Sequence, residues 1–240
     1  MDIYNKETSE DIKSRHYKFA VLPIGSYEQH GAHLPITTDT LISSIISRNI
    51  CDSYGGLLIS PITISCSHEH GGFPATISVS PETLAKYLKD VVLSILRLED
   101  IALVVIINGH GGNYVVNNVA QELNYGSPRV LSAPVRQHWQ EAMEYAGIES
   151  TISADMHAGE VETSILMSIM PDVVQIEKAV DVCAADRPLL TFYGMSHYTK
   201  NGVIGFPRKA TPEKGRLLID KITESIGKHI IEILHSMPMA

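Results

Sequence analysis

Cysteine is scarce in this chain of 240 residues: Cys51, Cys66 and Cys183 stand far apart in the sequence. No two form a CxxC pair, and an odd set does not make a disulfide framework, so reduced thiols in a cytoplasm are expected. Long apolar runs are lacking too. The longest strongly apolar stretch, residues 101–107, is far short of the ~20 residues that cross a bilayer. Residues 1–19 carry charges where a signal peptide would have its apolar region, so neither a membrane nor a secreted protein is expected. Basic clusters are also missing. Lys and Arg number 19 against 27 Asp and Glu, for a net charge of -8, and they are scattered. That excludes the electrostatic footprint of a nucleic-acid binder and leaves a small-molecule or peptide substrate.

At this length, with 44% hydrophobic residues, a single domain over residues 1–240 is expected. Apolar runs at residues 19–24, 57–59, 101–107 and 129–131 read as buried strands. A helix is expected over residues 81–98, where Ser80 caps, Pro81 suits the first turn, and Leu84, Tyr87, Leu88, Val91, Val92 and Ile95 form one stripe. Further helices follow Asp39 and Asn113. The last begins at Thr211 and Pro212 and carries Leu218, Ile222, Ile226, Ile230 and Ile233 on one face. Strands alternating with helices imply an α/β fold with a mainly parallel sheet, whose ligands sit at the carboxyl ends of the strands.

The polar, metal-competent residues follow those strands. Residues 24–39, IGSYEQHGAHLPITTD, place Glu28, His30, His33 and Asp39 behind the first one. Mixed carboxylate and imidazole donors suit zinc, manganese or iron(II), and two carboxylate oxygens at Asp39 could bridge two ions; an ordinary polar loop with Asp39 as N-cap is the bland alternative. Residues 108–113, NGHGGN, flank His110 with glycines that let the backbone approach an ion; they lack the Lys-Ser/Thr ending of a P-loop. Residues 155–164, DMHAGEVETS, bring together His157, Glu160 and Glu162 without the HExxH spacing of a zincin. Residues 67–76, SHEHGGFPAT, form a turn-rich loop that offers Ser67, Glu69 and His70, with Gly111 of the NGHGGN segment, as substrate contacts. His16, His138, His197, His229 and His235 stand alone and are left out of the site. One or two divalent cations per chain are expected.

At these residues the chain resembles the creatininase family, whose segments read approximately GSxEQHGxHLPxxTD, EHxxFPGT, NGHGGN and HAGExETS, with a later GVxGxPxxAT matched by residues 202–211. The resemblance implies a three-layer αβα sandwich, a homo-oligomer (a hexamer), a binuclear metal centre and hydrolysis of a C–N bond. Position by position, it makes Glu28, His30, Asp39 and His110 metal ligands with Asp39 bridging, and His157 the proton shuttle. It also shows departures. Creatininase itself has a metal-binding glutamate where this chain has Gly112; Glu160 is expected to replace it, leaving Glu162 to orient His157 or a water. Ala75 stands where glycine is usual, Ala32 where proline is frequent, and Trp139 is the one tryptophan. Relatives that deformylate a formamidopyrimidine nucleotide or trim the mycofactocin precursor peptide share the motifs. A two-metal phosphate-ester hydrolase, with Arg136 or Arg208 clamping the anion, and an inactive metal-binding protein are the rival readings.

Overall fold

The computed structural model describes residues 3–237; the extreme ends of the expected 1–240 domain lie outside them. Four strands, β1 (Phe19–Ile24), β2 (Leu57–Leu58), β3 (Leu103–Asn108) and β4 (Val130–Ala133), pair in the order β2-β1-β3-β4 with every pairing parallel. The helices are α1 (Ser9–Arg15), α2 (Thr38–Tyr54), α3 (Pro81–Ile95), α4 (Val115–Leu123), α5 (Arg136–Tyr145), α6 (Glu160–Ile169), α7 (Leu190–Tyr193) and α8 (Pro212–Ser236). The β1 and β3 runs are continuous because both faces of the sheet are covered. Phe19 and Val21 join Leu103, Val105 and Ile107 in a core completed by α2, α5, α6 and α8. Ala20, Leu22 and Ile24 join Val104 and Ile106 against α3 and α4. This is the expected three-layer αβα architecture, with side chains alternating between the two cores at a period of two.

Helix α3 starts as expected, its Ser80 side chain accepting the Thr83 N–H at 3.2 Å. It buries Leu84, Leu88, Val92 and Ile95, whereas Tyr87 turns outward and is 53% exposed. Helix α8 runs from Pro212 with Thr211 as its cap and buries Leu218, Ile222, Ile226 and Ile230. His138 and His229, expected to stand alone, meet between α5 and α8 at 3.1 Å. Among the described residues no helix is long and apolar enough to cross a membrane, and Cys51, Cys66 and Cys183 are free.

Candidate metal centre

Strands β1 and β3 end level, Ile24 opposite Asn108, and the chain leaves each through a glycine. A Cβ on Gly25 would fall on the Thr40 backbone, and one on Gly109 on the Asp39 carbonyl. Only glycine therefore lets the first turn of α2 settle between the two strand ends. Asn113 ties the loops together: its Nδ2 donates to Gly25 O at 3.2 Å and Asn108 Oδ1 at 3.1 Å, and its Oδ1 accepts from the Cys66 N–H at 3.2 Å. The N-cap of α2 is Thr37, so Asp39 lies within the first turn, where the helix dipole favours its charge.

The Asp39 carboxylate divides between two imidazoles. Oδ1 is 3.0 Å from His30 Nε2, and Oδ2 is 3.0 Å from His110 Nδ1; Ser26 Oγ donates to Oδ2 at 2.7 Å. On the other edge of His110, Nε2 is 3.2 Å from both Glu28 Oε2 and Glu69 Oε1. Glu28 Oε1 is in turn 3.2 Å from His70 Nε2 and 3.8 Å from His157 Nδ1. Three sets of donor atoms each lie within 4.8 Å of one another: Glu28, His30 and His157; Glu28, Asp39 and His110; and His30, Asp39 and Glu162. Both Glu28 oxygens and His110 Nε2 are buried without an aligned hydrogen-bond partner, an arrangement that proteins avoid unless another ligand completes it. Donor atoms sharing one ion through bonds of roughly 2.1 Å stand roughly 3.0–3.4 Å apart. The N···O spacings around Asp39, His110 and Glu28 fall in that interval, so the residues present fit divalent cations.

The protein's own charges explain how protons are shared there. Burial raises Glu28, with His110 pulling the other way, to about 7. Burial likewise lifts Glu162 to about 8 against the attraction of His30. At His30 burial opposes the charge, but the Asp39 carboxylate prevails and pushes it up to about 9. His110 is raised well above its ordinary value, because Glu28, Asp39 and Glu69 outweigh its burial. His157 is held well below its ordinary value by burial and then by His30 and His70, and is therefore neutral. Its Nε2–H donates to Gln29 O at 2.7 Å, a bond that leaves Nδ1 as the bare nitrogen, facing Glu28. Gln29 Nε2 also donates to His70 Nδ1 at 2.9 Å. Gln29 therefore orients two imidazoles, a role the sequence reading missed.

Helix α6 corrects another expectation. Glu162 reaches the cluster and accepts the Ala158 N–H at 2.6 Å. Glu160, expected as the replacement ligand, instead pairs with Lys214 of α8. Two residues apart on a helix project about 200° apart, so only one of the pair can face the site. Asp155 fixes which one by accepting the N–H groups of Glu160 (2.7 Å), Val161 (2.9 Å) and Phe206 (3.0 Å).

A cavity of about 340 Å³ opens over the cluster. Its lining combines Asp39, His110, His157 and Glu162 with Trp139, Met143, Ile152 and Leu190. Of the expected substrate contacts, Glu69, His70 and Gly111 line it; Ser67 does not, being fully buried beneath the surface. Among the described residues none of the side chains lining the cavity is Lys or Arg. Arg136 is exposed at the start of α5, and the Arg208 guanidinium donates to Ala179 O at 2.9 Å, so neither serves as the anion clamp considered above. Arg187 reaches the lining residue Met156 but is committed to the Ala184 and Ser153 carbonyls.

Comparison with known proteins agrees with this geometry. The family model described as "Creatininase: Creatinine amidohydrolase" matches residues 5–230. A mycofactocin precursor peptide peptidase of Mycobacterium ulcerans is 34% identical over 223 residues, covering 88% of this chain and 83% of its own. The creatinine amidohydrolase of Pseudomonas putida is 25% identical over 230 residues, covering 88% of each chain. A manganese form of creatininase superposes with a TM-score of 0.82 at 21% identity, over 95% of this chain and 97% of its own. With its motifs, fold and buried donor cluster in agreement, this chain belongs to the creatininase family.

Proposed function

We propose that this chain hydrolyses the C–N bond of an uncharged or positively charged amide, peptidic or small, using two divalent cations held by Glu28, His30, Asp39, His110 and Glu162. The observation that carries the proposal is the division of the buried Asp39 carboxylate between His30 and His110 at 3.0 Å each. A carboxylate so divided supports the reading that it would be shared by two ions. The mixed oxygen and nitrogen donors suit manganese, zinc or iron(II), and manganese is supported by the related creatininase structure.

Divalent cations, when bound by these residues, would lower the pKa of a water towards ~7 and polarise the scissile carbonyl. The chain's own residues supply the rest. Neutral His157, with bare Nδ1 turned to Glu28, is placed to take a proton and deliver it to the departing nitrogen, help worth ~100 to 10,000-fold. Trp139, Met143 and Leu190 form an apolar seat that excludes water from one side of the substrate. Among the described residues the lining holds no Lys or Arg, so it offers a phosphate ester or nucleotide phosphate no cationic partner beyond the cations themselves. It suits a peptide, the substrate class named for the Mycobacterium ulcerans relative. A homo-oligomer, a hexamer by resemblance, is part of the proposal; Leu189, Phe192 and Tyr193 offer it exposed apolar surface.

Manganese-loaded protein assayed on neutral peptide amides, cyclic amides and phosphate monoesters separates the readings. Turnover is expected on amides alone, and His157→Ala is expected to keep its metal while losing about 100-fold or more of kcat. Turnover confined to the phosphate esters contradicts the proposal.

A further inference from the structure

Gly112 stands against the cluster, and the space where its side chain would be is occupied. A Cβ built there would overlap Glu69 Oε1 and His110 Nε2. The carboxylate filling that space comes from a different segment, the short turn His68–His70, which holds Glu69 between exposed His68 and buried His70. Glu69 Oε1 and Glu28 Oε2 each lie 3.2 Å from the same nitrogen, His110 Nε2. That nitrogen and both Glu28 oxygens are buried with no aligned hydrogen-bond partner. A protonated His110 offers both carboxylates positive charge, but its one Nε2–H cannot serve the two of them in aligned bonds.

We propose that Glu69 is a metal ligand, completing with Glu28 and His110 the coordination of one cation, and that Gly112 is required to admit its carboxylate. This rests on the two-cation reading above. Glu69 then does the work expected of Glu160, whose carboxylate is engaged by Lys214 on the far side of α6. Its 20% side-chain exposure, against 0% for Glu28, puts it on the cavity side of that ion.

Mn²⁺ binding to metal-stripped full-length chain tests this without reference to activity, by metal content after dialysis and by competition with a chelator. Glu69→Gln, which preserves shape, and Gly112→Ala, which keeps Glu69 but obstructs its carboxylate, are both expected to retain about one ion per chain where the parent holds two, or to bind the weaker ion at least tenfold less tightly. Glu160→Gln is expected to match the parent. The visible spectrum of the Co²⁺-loaded chain should change with Glu69→Gln if a ligand is lost. Parent protein holding two ions with Glu69→Gln unchanged in content, affinity and spectrum overturns the Glu69 assignment alone. Parent protein binding no Mn²⁺ overturns the two-cation reading and this assignment together. Gly112→Ala failing to fold, as judged by circular dichroism, leaves the decision to Glu69→Gln.

Discussion

At the residue scale, the cluster holds protons that a cation must displace. His30 at about 9, Glu162 at about 8 and Glu28 at about 7, with His110 raised as well, are wholly or partly protonated at neutral pH. Ligands bind metal in their deprotonated forms. These raised pKa values therefore oppose binding at low pH, and affinity should strengthen as pH rises through the range of Glu28, Glu162 and His30, from about 7 to about 9. Calorimetry of Mn²⁺ binding at pH 7 in two buffers of different ionisation heat should show apparent enthalpies that differ through net proton release. Equal enthalpies would show that the donors are already bare. Which residues belong to the site was legible to different degrees. Glu28, His30, Asp39 and His110 follow strand ends in the sequence, and the sheet brings them together. Glu69 is expected from the sequence as a substrate contact and does line the cavity; nothing in the sequence shows that its carboxylate fills the space beside Gly112, some forty residues away.

At the scale of elements, helix α6 decides which carboxylate meets the cluster, and Asp155 decides how α6 begins. Asp155→Ala would leave the N–H groups of Glu160, Val161 and Phe206 without their acceptor. The cost should be about 3 kcal/mol or more, since a lost cap and orphaned buried donors each cost about 1 kcal/mol or more. Denaturant unfolding measures it; a loss below about 1 kcal/mol would mean that α6 is positioned by its packing on α8 instead. Strand β1 was legible to its ends because six apolar residues stand between Lys18 and Gly25, and α3 because cap, proline and stripe coincide. Helix α5 was not, because RQHWQEAMEY buries only His138, Ala142 and Met143, too few apolar positions to show a helical period. The Glu160 expectation failed for a related reason. Sequence spacing gives the angle between Glu160 and Glu162, but the side of α6 that faces the metal site is set by tertiary packing.

At the scale of the whole molecule, a parallel sheet with a core on each face is a rigid base that delivers loops from β1 and β3 to one edge, where α2 inserts Asp39 between them. Burying so many ionisable groups in one place is tolerable only if charges of opposite sign meet there. Cations held there, as proposed, would add to that balance as well as supply the chemistry. The most direct measurement is the anomalous scattering map of a crystal grown with Mn²⁺. Two peaks roughly 3.5–4 Å apart, each within about 2.2 Å of one Asp39 oxygen, are the result expected here; a map with no peak beside Asp39 would contradict it.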